Sequence, residues 1–138
     1  MKALWSTTFG FVVACAAPLL VIAQTFPHDA VAPSDEELRL RITGKTFHAT
    51  LSGGGRWEVN YRPGGGFTGK TQYKPDGPED DDEAGWTTQN GKLCRVDLEG
   101  ATVCNEVRKQ GSDLYVQRDD GQVVKIVPDA PASAPQNR

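Results

Sequence analysis

From Lys45 onward, apolar and polar residues alternate with a period of two. Phe47, Ala49 and Leu51 alternate with Thr46, His48 and Thr50, and Trp57, Val59 and Tyr61 with Glu58, Asn60 and Arg62. Each run predicts a half-buried strand, apolar on one face and polar on the other. Gly53-Gly54-Gly55 and Pro63-Gly64-Gly65-Gly66 supply the turns around them and lead to a third strand, Phe67 to Tyr73. Lys74 to Ala84 contains Asp76-Gly77-Pro78 and the run Glu79-Asp80-Asp81-Asp82-Glu83, which reads as a linker too charged to enter a sheet. Trp86 to Gln89 resumes strand character. Asn90-Gly91 is a strong hairpin signal, because both turn positions tolerate positive φ. Lys92 to Asp97, the turn Leu98-Glu99-Gly100, and Ala101 to Lys109 follow; Asp113 to Arg118 and Gln122 to Val127, joined by Asp119-Asp120-Gly121, make a last hairpin. The pattern predicts a mainly β domain, a small antiparallel meander or barrel-like sheet of about eight strands.

The pattern differs before Lys45. Ser34-Asp35-Glu36-Glu37 matches a capping box and predicts a short N-terminal helix from Asp35 to about Ile42, ended by Gly44. The alternation Leu38-Arg39-Leu40-Arg41-Ile42 would equally suit a strand, and the cap favours helix. Residues 24–34, with two prolines and no apolar period, read as a flexible leader, and 128–138, rich in Pro and Ala, as a disordered tail. The domain then spans 35–127.

Residues 1–23 read as an export signal: Lys2, a mostly apolar stretch, then Val21-Ile22-Ala23 with small residues where signal peptidase cuts. A membrane anchor is the rival reading, disfavoured by Pro18 and the Ser/Thr cluster that interrupt the run. Lipidation at Cys15 is another, suggested by Val12-Val13-Ala14-Cys15 and disfavoured by the apolar residues that would follow the cut. Cleavage after Ala23 predicts a periplasmic chain with no membrane span. It also removes Lys2, leaving 14 basic against 18 acidic residues and a net charge near −4. Such a chain lacks the basic footprint of nucleic-acid binders.

Cleavage leaves two cysteines, Cys94 and Cys104. In an oxidising compartment this pair predicts a structural disulfide, worth about 2 to 3 kcal/mol in the chain-entropy account. A redox-active dithiol would need closer C-x-x-C spacing. A three-residue Leu98-Glu99-Gly100 turn with Gly100 left-handed places Cys94 opposite Cys104, so turn chemistry and cysteine pairing agree on one register.

Candidate chemistry is sparse. Hard cations want several oxygen ligands at once, and Asp80, Asp82 and Glu83 are the weak candidates for such a site. The run lacks EF-hand spacing, and contiguous like charges more often mark a solvated loop. His28 lies in the leader. His48 falls on the polar face of a strand with no nucleophile motif near it. Gly64-Gly65-Gly66 and Gly69-Lys70-Thr71 lack the spacing of a phosphate loop. No catalytic residue and no cofactor is predicted. Trp57, Tyr61, Phe67, Tyr73, Trp86 and Tyr115 read mainly as core, with a ligand pocket as the alternative.

Taken together, Ile42-Thr43-Gly44-Lys45-Thr46, Trp57-x-x-x-Tyr61, Gly85-Trp86, Asn90-Gly91-Lys92-Leu93-Cys94 and Cys104 resemble a group of small exported proteobacterial proteins that share a domain of unknown function. The resemblance covers roughly residues 35 to 127 and implies a periplasmic β domain without assigned catalytic residues. The functional expectation is a non-enzymatic binding or envelope-associated protein whose partner is an unknown periplasmic protein or envelope component. The alternatives are a lipocalin-like carrier of a small apolar ligand and, last, a hydrolase using His48.

Overall fold

The computed structural model describes residues 25–130; the stretch read as an export signal, with Cys15, and the last part of the Pro/Ala-rich segment lie outside them. Helix α1 (Asp35–Ile42) precedes strands β1 (Lys45–Thr50), β2 (Arg56–Tyr61), β3 (Gly66–Gln72), β4 (Glu79–Gln89), β5 (Lys92–Val96), β6 (Thr102–Gln110), β7 (Asp113–Gln117) and β8 (Val123–Pro128). Each strand pairs antiparallel with the next and β8 returns to β1, so the meander is a closed barrel. Closure pairs every strand on both sides, although residues 79–84 of β4 extend beyond β5.

Strand alternation becomes inside and outside on closure. Phe47, Ala49, Val59, Tyr61, Phe67, Leu93, Val107, Leu114, Val116, Val124 and Ile126 are buried together. Helix α1 closes the end of the barrel where β1 begins. Leu38 and Ile42, four residues apart on one helical face, are both 0% exposed, whereas Leu40 between them is 73% exposed. That contrast is the signature of a helix, and it resolves the ambiguous alternation. The plug is tied to the turns around it: the Asp35 carboxylate accepts from the backbone N–H groups of Asn90 (3.2 Å) and Gly91 (2.6 Å), and Arg41 donates to the Gly111 carbonyl at 3.2 Å. Arg39 donates to the buried Thr88 hydroxyl at 3.1 Å.

The helix start uses half of its capping box. Ser34 Oγ accepts from the Glu37 N–H at 3.1 Å, but the Glu37 carboxylate accepts from Lys109 Nζ at 2.5 Å. The Lys109 hydrogen bond holds the Glu37 carboxyl below its ordinary value, against a smaller opposing effect of desolvation.

Turn chemistry and cysteine register coincide. Gly100 takes φ +85°, Asp97 and Ala101 close the turn at 3.0 Å, and Cys94 lies opposite Cys104 at disulfide distance. The Arg118–Gln122 turn repeats the same shape around Gly121. Asn90 (φ 51°) and Gly91 (φ 73°) form the two-residue turn their sequence predicts.

Three segments differ from the sequence reading. The acidic run is not a loop: Glu79–Glu83 forms the first half of β4, in register with β3 from Gln72↔Glu79 to Gly66↔Gly85. All five side chains are exposed, so none needs an apolar face, while the backbone pairs on one side with β3 and Lys70 lies opposite Asp81. Secondly, the leader is docked rather than free. Strand β5 ends its pairing with β6 at Lys92↔Glu106, which leaves Lys109 without a neighbour on that side. Val31 fills the place, exchanging both backbone hydrogen bonds with Lys109 at 2.9 and 2.7 Å. Finally, β8 continues through Pro128, and the Asp129 N–H donates to the Thr46 carbonyl at 2.9 Å, so the barrel seam extends into the segment read as tail.

Two predictions follow from the plug. Leu38→Ala should lower the unfolding free energy by about 2 to 5 kcal/mol in urea, while Leu40→Ala should change it by less than about 0.5 kcal/mol; equal losses would mean that α1 does not insert. Because the Glu37 carboxyl titrates lower in the folded chain, its contribution is complete above its ordinary value of 4.5 and is lost as pH falls through its lowered value. The urea midpoints of wild type and Glu37→Gln should therefore differ at pH 7 and converge as pH falls below 4.5.

Candidate functional site

The barrel ends differ. Helix α1 fills one, and the other, bounded by the β1–β2, β3–β4, β5–β6 and β7–β8 turns, holds a cavity of about 210 Å³. Its floor is the core aromatics Tyr61 and Phe67, whose ring centroids lie 5.5 Å apart. Burial pushes the Tyr61 phenol above its ordinary range, with the nearby Arg95 charge opposing the shift. Trp57 and Tyr73 form part of the wall. Gly69, facing the interior between Val59 and Asp82, contributes no side-chain volume to it.

Charged residues occupy inward positions around this cavity. Arg95 continues the inward phase of Leu93 on β5, Arg118 that of Leu114 and Val116 at the end of β7, and Asp82 that of Ala84 and Trp86 on β4. Arg95 bridges two carboxylates, donating to Asp82 at 2.6 Å and to Asp119, and it lies 5.9 Å from the Phe67 ring centroid. Asp119 also accepts from Asn105 Nδ2 at 2.7 Å. Arg95 is therefore neutralised within a network that joins β4, β5, β6 and the β7–β8 turn.

Arg118 is placed differently. Its guanidinium carbon lies 4.8 Å from the centroid of Trp57 and 5.8 Å from that of Tyr73, a cation–π arrangement. Its side chain is only 8% exposed. Among the described residues its one ion pair is a long 3.4 Å contact from Nε to Asp120, and Nη1 is buried without an acceptor. Asp120 itself is largely committed to its own turn, accepting from the backbone N–H and side-chain amide of Gln122 at 3.0 and 3.1 Å.

The residues singled out from sequence are dispersed. Asp82 joins the mouth; Asp80 and Glu83 do not join it in a ligand cluster, and among the described residues no group of three or more His, Cys, Asp or Glu is placed to hold a metal ion. His48 is on the outside of the barrel at the β1–β8 seam, its Nδ1 2.6 Å from Asp129. Among the described residues His28 pairs only with the adjacent Asp29. The aromatics divide: Tyr61 and Phe67 are core, Trp57 and Trp86 pack against it, and Tyr73 is 50% exposed at the mouth. Arg95, Arg118, Asn105 and Asp119 are not singled out by any motif. Their signal is phase: Arg95 and Arg118 stand where the alternation calls for apolar side chains.

Comparison of the chain with protein-family models, curated proteins and solved structures finds no match. Among the described residues no helix is long and apolar enough to cross a membrane.

The two arginines should respond differently to neutral replacement. Arg95→Met removes two ion pairs at the half-exposed mouth and should cost about 1 kcal/mol of unfolding free energy. Arg118→Met removes an unsatisfied buried donor, keeps an apolar stem against Trp57, and should cost less. Urea unfolding of both variants checks the order; a larger loss for Arg118→Met would make it a structural residue.

Proposed function

We propose that this protein is a non-enzymatic binding protein of the bacterial periplasm, and that its site is the open mouth of the barrel. One observation carries the reading: the interior is split into a filled apolar half beneath α1 and a cavity walled by Trp57, Tyr73, Arg95 and Arg118. Concave sites that pair aromatic walls with a few convergent polar groups are where small ligands bind. The export signal, the cysteine pair and the resemblance to small exported proteins support the compartment.

A hydrolase reading finds little support. Catalysis needs a base, a partner and a pocket together. His48 has a carboxylate partner in Asp129, but it stands on the outer face, away from the mouth. The closed barrel favours the carrier reading in shape but not in chemistry. About 210 Å³ is below the usual range for drug-sized ligands, roughly 300–1,000 Å³, and the wall carries two arginines and two aspartates. A small polar ligand suits that wall better than an apolar one.

Native mass spectrometry of the protein, purified from the periplasm without denaturation, tests the reading. A retained small molecule, displaced when Trp57 is replaced by Ala, is the expected result. A bare chain, together with no change in Trp fluorescence across a library of small polar molecules, would overturn it.

A further inference from the structure

The hydrogen-bonding capacity left unused at the mouth defines a ligand class. On the donor side, Arg118 Nη1 is buried with no acceptor, on a side chain more than nine-tenths buried. Buried charged donors are rarely left unpaired, because desolvation is then uncompensated. Arg95 does not share this deficit, since Asp82 and Asp119 both bind it. On the acceptor side, Asp82 accepts from Arg95 through Oδ2 alone, and its Oδ1 accepts no hydrogen bond among the described residues. A carboxylate has about four acceptor sites, so Asp82 retains room for a ligand's O–H or N–H donors.

Charge limits what can enter. The cavity lining carries Arg95 and Arg118 against Asp82 and Asp119, so its formal charges balance, and Asp120 pairs with Arg118 from the adjoining turn. An anion would satisfy Arg118 but would face the carboxylates of Asp82 and Asp119 on the same wall. An apolar molecule would leave Nη1 unsatisfied. An uncharged molecule that both accepts and donates hydrogen bonds meets both requirements. Size narrows the class further: an apolar cavity of about 150 Å³ accommodates benzene, so about 210 Å³ accommodates one substituted ring.

We propose that the mouth binds an uncharged, polyhydroxylated single ring of monosaccharide size, which presents an oxygen to the Arg118 guanidinium and hydroxyl donors to Asp82. This assignment rests on the binding reading above and specifies its ligand.

The test is titration of the ¹⁵N-labelled protein, residues 24–138 with the disulfide formed, separately with glucose, N-acetylglucosamine, benzoate and toluene. The Trp57 indole N–H and the Arg118 side-chain Nε–H report on the mouth, and the His48 backbone N–H serves as a remote control. Saturable shifts at Trp57 and Arg118 with one of the two sugars, at millimolar concentrations and without a shift at His48, are expected. Arg118→Met should weaken that binding at least tenfold and Asp82→Asn several-fold, whereas Lys125→Ala on the outer surface should leave it unchanged. Asp82 is half exposed, so its variant keeps the test valid if Arg118→Met fails to fold. Binding of benzoate or toluene without either sugar would overturn the ligand class and leave the mouth as a binding site. No shift at Trp57 or Arg118 with any probe would overturn the ligand class, and with a bare chain in native mass spectrometry would overturn the binding reading as well.

Discussion

The insertion of Leu38 and Ile42 into one end of the barrel is the contact on which the rest of the architecture depends. Eight short strands can close on themselves so that each pairs with two neighbours, yet closure leaves two open ends through which water reaches the interior. At the helix end, the two fully buried side chains join Phe47, Tyr61, Leu93 and Leu114 in one core cluster. Asp35, Arg39 and Arg41 then fix the helix to the rim by hydrogen bonds. With one end sealed by apolar contact, the other can tolerate charge. The asymmetry of the barrel, a dry half and a wet half, follows from the plug.

The wet half shows how a small barrel accommodates charged side chains in its inward phase. Arg95 is held by two carboxylates from different strands and turns, and its neighbours complete one another's hydrogen bonds. Arg118 is held mainly by aromatic faces, which compensate the charge but accept only weakly. Two arginines a few residues from the same opening thus have different roles, one closing a network and the other leaving it incomplete. The acidic strand belongs to the same logic. At a rim wet on both faces, a run of carboxylates can complete a β ladder because its side chains need not be buried, and Lys70 and Arg95 reduce the repulsion among them.

Legibility followed the range of the interaction. The eight strands, the Asn90-Gly91 turn, the left-handed Gly100 and the helix cap at Ser34 all depend on neighbours a few residues away, and all could be read from the chain. The Cys94 and Cys104 register was readable because a local turn dictated it. The acidic segment was misread because composition describes what side chains prefer, whereas its backbone entered the sheet by pairing with β3, which is a tertiary fact. The leader was misread for a similar reason: Val31 has no pattern of its own and pairs only because β6 outruns β5.

By itself, then, the sequence determined the alternation that makes strands, the turns that join them, the cap that starts the helix, and which faces are apolar. Each of these is encoded within a turn or a short run. Only the tertiary structure decided that β8 meets β1, that α1 enters one end, and that Asp82, Arg95, Asn105, Arg118 and Asp119 converge at the other. Those residues lie up to 37 positions apart along the chain, on different strands and turns, and nothing local to any of them specifies the others. Closure of the barrel sets their distances, and with them the balance of charge and unused hydrogen bonds at the mouth.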